Sequence, residues 1–454
     1  MRKIIVQDGC LVSFDPDSAL SVPIPFDPAD PYRGIPEMEK NAYAYESLIF
    51  HMSQIEDLRK DRGKRHALIN VLILTIFGIL RGYTDFDNMA YDLKMDEEYF
   101  TRLLSLKHGI PSHDVFSAVF RMIDREQFMC MFINWIYSIA GIKGRHISID
   151  GKALRAACDK VRAGKVPYVV NAFLTDCRIV IGQKMVDTKT NEIRGIPDLL
   201  GYLDIEGAVI TIDAIGCQKE ICDQIRAKNG HFVLPAKENQ HNLHRSVEAY
   251  LDEAVRQKRR EDQIIAKYAE KKILDFPKPW NEVLDEYEEI EPKQDHGRRE
   301  KRNYIVSSDT ECVDREQWPH VKMIGMTIRE RTVIKYDAEG NDISETTVER
   351  NTWIMSREMT AKEFAQYVRG HWAIESSLHY VLDTTFSEDR SRARKDNAME
   401  NMAQMRRLCF NFTNLEPEVA GLSKTKVLSY FRHNPEAVIN LIFNRIPETV
   451  GKEI

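Results

Sequence analysis

The chain has 454 residues, 43% of them hydrophobic and 30% charged, and a formal net charge of -6. That balance describes a globular protein with room for two or three domains, and it excludes a simple polycation, so any nucleic-acid contact must come from local basic clusters. No run approaches the ~20 apolar residues of a membrane span, the opening MRKIIVQDGCLVSF lacks a signal peptide's apolar stretch, and the eight cysteines form no CxxC pair. A cytoplasmic protein with reduced thiols is the expectation.

Residues 14–36 hold Pro16, Pro23, Pro25, Pro28, Pro31 and Pro36 with little periodicity, so residues 1–37 read as an extended N-terminal arm. Helices are expected from about Met38. The basic elbow LRKDRGKRH, residues 58–66, reads equally as a solvated linker or a phosphate contact. ALINVLILTIFGILRGY after it is too closely flanked by charge for a membrane span and reads as a core helix. TDFDNMAYDLKMDEEYFTRLLSL keeps helical spacing, and Ser112 or Asp114 offers a cap for two further amphipathic helices. Residues 38–142 thus form an all-helical domain.

From 143 the pattern changes to strands. HISIDGK, VPYVVNAFLT and RIVIGQKMV follow one another as an antiparallel meander, the last two separated by the turn-like Asp176 and Cys177. A helix over about Pro197–Tyr202, the buried strand of AVITIDAIGCQ, the helix CQKEICDQIRAKNG ending at Gly230, and the strand of HFVLPAKENQ complete an α/β ribonuclease H-like topology. Its first and fourth strands end in Asp150 and Asp213. One such aspartate alone reads as a helix cap, but two strands ending in Ile-Asp suggest shared chemistry at the strand ends. Residues 241–359 interrupt this domain with a charged helix, the acidic DEYEEIEP and several strands rich in basic residues, a pattern that suggests a nucleic-acid clamp.

The domain resumes near Thr360. In RGHWAIESSLHYVLDTTFSEDRSRARK a helix carries Trp372, Leu378 and Leu382 on an apolar side, while His371, Glu375, His379 and Asp383 recur every four residues. Two strand-end aspartates and a helix glutamate could meet at one divalent metal site. The HxxxExxxH from His371 to His379 also allows a zinc hydrolase, although that leaves Asp150 and Asp213 unexplained. Residues 416–454 read as a C-terminal helical tail whose VLSYFRHNPEAVINLIF is either core or an interface.

IPSHDVFSAVF, HISIDGKALR, VVNAFLTDC, TIDAIGCQKEI, DHGRREKR, RGHWAIESSLHYVLDTTFSEDRSRARKDNA and ENMAQMRRL carry a specific resemblance over about residues 40–415. The chain resembles the H-repeat-associated transposases, a branch of the DDE insertion-sequence transposases. The resemblance implies a ribonuclease H-like catalytic domain (143–240 and 360–415) with a β-rich insertion (241–359), preceded by a helical DNA-binding domain (38–142). It implies metal-dependent cleavage of double-stranded DNA and strand transfer, with Asp150, Asp213 and Glu375 as the triad. Two Mg2+ or Mn2+ ions per active site would suit hard oxygen ligands, Asp150 bridging both, Asp213 on one and Glu375 on the other. A homodimer in the synaptic complex is implied because two transposon ends must be paired.

Around the triad, Lys152 and Arg155 are placed to hold a scissile phosphate, and Lys237, Asn239 and Gln240 to touch the DNA backbone or a flanking base. Arg390, Arg392, Arg394 and Lys395 read as a phosphate track. His371 and His379 are candidates to orient a metal-bound water, and Trp372 reads as core. Related insertion-sequence transposases carry an Arg and a Lys where this chain has His371 and Leu382, so roles tied to those two residues are not carried over. The alternative reading is a domesticated, catalytically inactive DNA-binding protein derived from a transposase.

Overall fold

The computed structural model describes residues 3–7, 10–15, 20–23, 47–60, 64–155, 166–270, 284–294, 298–334 and 343–444. These fall into two compact units: Met1–Ile142, Gly151–Leu203 and Ala373–Ile454 make the first, and Lys143–Asp150 with Asp204–Trp372 make the second.

The chain begins with an antiparallel sheet of β1 (Lys3–Gln7), β2 (Cys10–Asp15) and β3 (Leu20–Pro23), so part of the expected arm is paired strand. Residues 24–46, including the expected helix start at Met38, lie outside the described residues. Six helices follow: α1 (Leu48–Ser53), α2 (Leu68–Leu80), α3 (Phe86–Met95), α4 (Glu97–Leu104), α5 (His113–Met122) and α6 (Arg125–Ile139). The apolar run becomes α2, which is buried from Ile69 to Leu80, as a helix apolar all round must be. Among the described residues no helix is long and apolar enough to cross a membrane. Ser112 occupies the N-cap of α5 without a side-chain bond, whereas Asp124 caps α6 by accepting from the Glu126 and Gln127 N–H groups.

Strand β4 (His146–Ala153) crosses the division after Asp150. The first unit then adds the antiparallel hairpin of β5 (Tyr168–Leu174) and β6 (Ile179–Val186) and the helix α7 (Glu192–Tyr202), one and a half turns longer at its start than the sequence suggested. In the second unit come β7 (Val209–Ile212), α8 (Lys219–Ala227), β8 (His231–Ala236), the long α9 (His241–Glu270), β9 (Leu284–Gln294), β10 (Arg298–Ser307), β11 (Met323–Val333), β12 (Glu345–Met355) and α10 (Ala361–His371). The chain returns to the first unit through a π-helical turn, Ile374–His379, then α11 (Tyr380–Thr384), α12 (Ala398–Leu415), α13 (Lys424–His433) and α14 (Pro435–Phe443).

These units do not follow the domain boundaries expected from sequence. Helix α12, expected within a catalytic domain of its own, is the buried axis of the first unit and packs on α2, α5, α6 and β6. Phe412 meets Trp135 with ring centroids 5.9 Å apart, and Asn401 donates to the Phe120 and Ile123 carbonyls that end α5. The N-terminal helices therefore share one core with the C-terminal ones.

The insertion is likewise no separate body. In the second unit β4, β7 and β8 pair in parallel, β12 adds antiparallel to β8, and β11, β10 and β9 continue the sheet outward. Phe364 of α10 packs on this extension, 5.7 Å from Trp353 and 6.1 Å from Tyr304 between ring centroids. The insertion's basic residues are largely matched within the unit: Lys301 with Glu288, Arg329 with Glu349, Arg350 with Asp252 and Lys258 with Glu286. The outer strand β9 carries Asp285, Glu286, Glu288, Glu289 and Glu291, a charged edge that resists pairing with other chains.

Candidate active site

Two adjacent parallel strands carry the two aspartates; β4 runs on to Ala153, so Asp150 lies inside its strand and not at the end the sequence suggested, whereas Asp213 directly follows β7. His146 pairs with Val209, Ile147 with Ile210, Ser148 with Thr211 and Ile149 with Ile212. The next residue on each strand is Asp150 and Asp213, so the two follow in register on strands about 4.8 Å apart. Side chains two apart on a strand share a face, and the Ser148 and Thr211 hydroxyls meet at 3.2 Å on one face. Asp150 and Asp213 continue that face by one step, both half-buried. Just beyond, the Asp213 carboxylate accepts the Ile215 N–H at 3.2 Å and caps a short 3-10 turn over Ala214–Gly216. A Cβ on Gly216 would come within 2.3 Å of Ile212 Cγ2, so this tight turn needs glycine.

Beneath the aspartates lies a polar cluster that sequence reading missed. Thr211 Oγ1 sits 2.8 Å from His146 Nε2 and 3.1 Å from His371 Nδ1, at the last residue of α10. The His146 ring also stands edge-on to Tyr367 at 5.1 Å, and Tyr367 accepts a hydrogen bond from Arg357 at 3.1 Å. Burial pushes His371 down to about 4, so its imidazole is neutral at pH 7. The repeat Ser-Ile-Asp at 148–150 and Thr-Ile-Asp at 211–213 was the sequence signal for this cluster.

Glu375 belongs to the first unit. It is exposed on the π-helical turn, which Ile374 and Leu378 anchor by burial. That turn breaks the expected four-residue stripe, because i→i+5 bonding advances the chain differently from an α-helix. The two imidazoles of the HxxxExxxH pattern hold separate partners: His371 bonds Thr211 in the second unit, and His379 Nε2 lies 3.3 Å from Asn171 Nδ2 in the first. Among the described residues no three His, Cys, Asp or Glu side chains converge as a preformed metal group.

The remaining expected residues are dispersed. Lys152 is turned inward, 5% exposed, against Asp383, Glu388 and Asp389. Arg155 is exposed, and its backbone N–H reaches Asp389 Oδ1 at 3.4 Å. In the second unit Lys237 is exposed, while Asn239 donates to the Ala214 carbonyl at 2.7 Å and Gln240 to the Cys217 carbonyl at 2.9 Å, bracing the loop after Asp213. Arg390, Arg392, Arg394 and Lys395 are all exposed along one stretch of the first unit. Trp372, read as core, is 57% exposed.

The family model described as Transposase DDE domain matches residues 142–412, and the one described as DDE_Tnp_1-associated matches residues 49–136. This chain belongs to the DDE transposase family. Among its relatives in Escherichia coli, the O157:H7 protein named "Putative transposase YncI" is 32% identical over 84% of this chain and 90% of that protein. The strain K12 protein named "H repeat-associated putative transposase YhhI" is 32% identical over 83% of this chain and 93% of its own length. A solved piggyBac transposase synaptic complex with hairpin DNA aligns with a TM-score of 0.38 and 11% identity over 88% of this chain and 77% of that one, too distant to carry an argument. For this transposase, the DDE-domain match takes in Asp150, Asp213 and Glu375 together with the whole insertion.

Proposed function

We propose that this transposase cuts double-stranded DNA at the ends of an insertion sequence and joins the freed 3′-hydroxyl to target DNA, using Asp150, Asp213 and Glu375 in a ribonuclease H-like catalytic fold. The observation that carries the reading is the in-register placement of Asp150 and Asp213, each directly after the last paired residue of two adjacent parallel strands. Carboxylates on one face of paired strands are an oxygen-only donor set, which fits Mg2+ or Mn2+ and not a softer metal. Asp150 and Asp213 would hold the ions, with Glu375 as the third carboxylate. When bound, such an ion pair activates the attacking oxygen and neutralises charge on the leaving one.

The chain's own residues supply the rest. Asn239 and Gln240 hold the Asp213 loop in shape through its carbonyls. Arg390, Arg392, Arg394 and Lys395 would grip the phosphate backbone, the part of DNA that gives affinity without sequence readout. Pairing two element ends calls for at least two protomers, so the active assembly is a dimer on DNA.

The test is cleavage of a labelled fragment carrying the element's ends, with Mg2+ or Mn2+, by the natural protein and by Asp213→Asn. We expect defined end cuts that the variant loses by more than the roughly 10–100-fold typical of outer-shell changes at metal sites, while DNA binding persists. Binding without cutting by the natural protein in both metals would leave a non-catalytic DNA-binding protein as the reading.

A further inference from the structure

Lys152 stands two residues after Asp150 on β4, where a phosphate-binding lysine would be useful, yet it is 5% exposed. Its Nζ lies 2.5 Å from Asp383 Oδ1, 3.3 Å from Glu388 Oε2 and 3.5 Å from Asp389 Oδ1. Glu388 is 2% exposed, and its other oxygen accepts from Arg407 of α12 at 2.6 Å. Arg407 also donates to Asn171 of β5, whose amide nitrogen faces His379. The circuit therefore closes on residues four and eight positions after Glu375, all within the first unit.

Burying several charges together is costly and is weak evidence for stability alone, so a role in geometry is the better account. The π-helical turn that carries Glu375 needs such support, because this form is rare and concentrates at functional sites. We propose that Lys152 is a positioning residue: by pairing with Asp383 inside the first unit it holds the turn and helix that carry Glu375 in shape, and so sets how well the Glu375 carboxylate serves a divalent ion. This rests on the reading of Asp150, Asp213 and Glu375 as the metal-holding triad. Lys152 acts through Asp383 and does not touch DNA.

The experiment titrates Mn2+ calorimetrically into the full chain without DNA and follows amide hydrogen exchange over residues 374–384. Asp213→Asn should lose Mn2+ binding. Asp383→Asn should weaken it about 10–100-fold, the range for outer-shell changes, with faster exchange in 374–384 and an unchanged unfolding midpoint in EDTA. Asp383→Glu should recover most of the affinity. Lys152→Arg, which keeps the charge but exchanges a compact ammonium for a planar fork, should give an intermediate loss. If Asp383→Asn and Lys152→Arg bind Mn2+ like the natural protein while Asp213→Asn does not, the positioning role is overturned and the triad stands. If the natural protein and Asp213→Asn titrate alike, the triad reading fails and this inference falls with it.

Discussion

Thr211 has one hydroxyl and three close partners for it: His146, His371 and Ser148. A hydroxyl offers one donor and two acceptor sites, so these partners use its full capacity. Neutral His371 fits that arrangement, and burial lowers its proton affinity from 6.5 to about 4. The folded state therefore binds fewer protons there than the unfolded one. Its contribution is whole above pH 6.5 and is lost as pH falls through about 4. Thermal unfolding midpoints should decline across that window, and His371→Asn should flatten the decline. A second acid-sensitive group lies in the first unit. Burial opposes ionisation of Glu388, but Arg407 and Lys152 outweigh it and hold the carboxyl at about 2. Stability from Glu388 is present above its unfolded value of 4.5 and disappears toward pH 2, a loss that Glu388→Gln should remove from the pH profile. At this scale the two Ile-Asp pairs on neighbouring strands were legible because alternation along a strand is local, although β4 runs on past Asp150 to Ala153. The burial of Lys152 was not legible because its partners lie more than 200 residues away.

Among the elements, α12 shows how one helix organises a unit. Asn411 accepts the Val180 N–H at 2.9 Å and donates to the Val180 carbonyl at 2.8 Å, satisfying both backbone groups at an irregularity in the β5–β6 pairing. Asn411→Leu would leave two buried backbone groups unpaired, each costing about 1–3 kcal/mol. Chemical denaturation should accordingly show a loss of roughly 2–5 kcal/mol. Most helices and strands were recognisable from period and caps. The π-helical turn was not, since a helical stripe looks the same in sequence until tertiary partners pull His379 toward Asn171.

On the scale of the whole molecule, the net charge of -6 means that DNA must be met by local basic clusters, and the run at 390–395 is one exposed cluster. Neutralising Arg390, Arg392, Arg394 and Lys395 should reduce the slope of log affinity against log salt by about 0.9 for each DNA phosphate that the variant no longer neutralises. Binding titrations at several salt concentrations measure it. The insertion also has a structural duty, because β12 covers the edge of β8 and Trp353 and Tyr304 flank Phe364. Deleting residues 284–355 should therefore yield aggregated or unfolded protein, read by soluble yield and circular dichroism, and not a trimmed catalytic module.

Local pattern alone was enough to mark the helical N-terminal stretch, the α/β core and the two Ile-Asp pairs, because hydrophobic period is a property of neighbouring residues; the tie to the transposases came from the resemblance of longer phrases to that family. Tertiary structure decided which pieces share a core. It joined the first helices to the last, extended the sheet through the insertion and buried Lys152 among carboxylates. Those outcomes depend on packing between segments hundreds of residues apart, for which one chain's sequence carries no periodic signal.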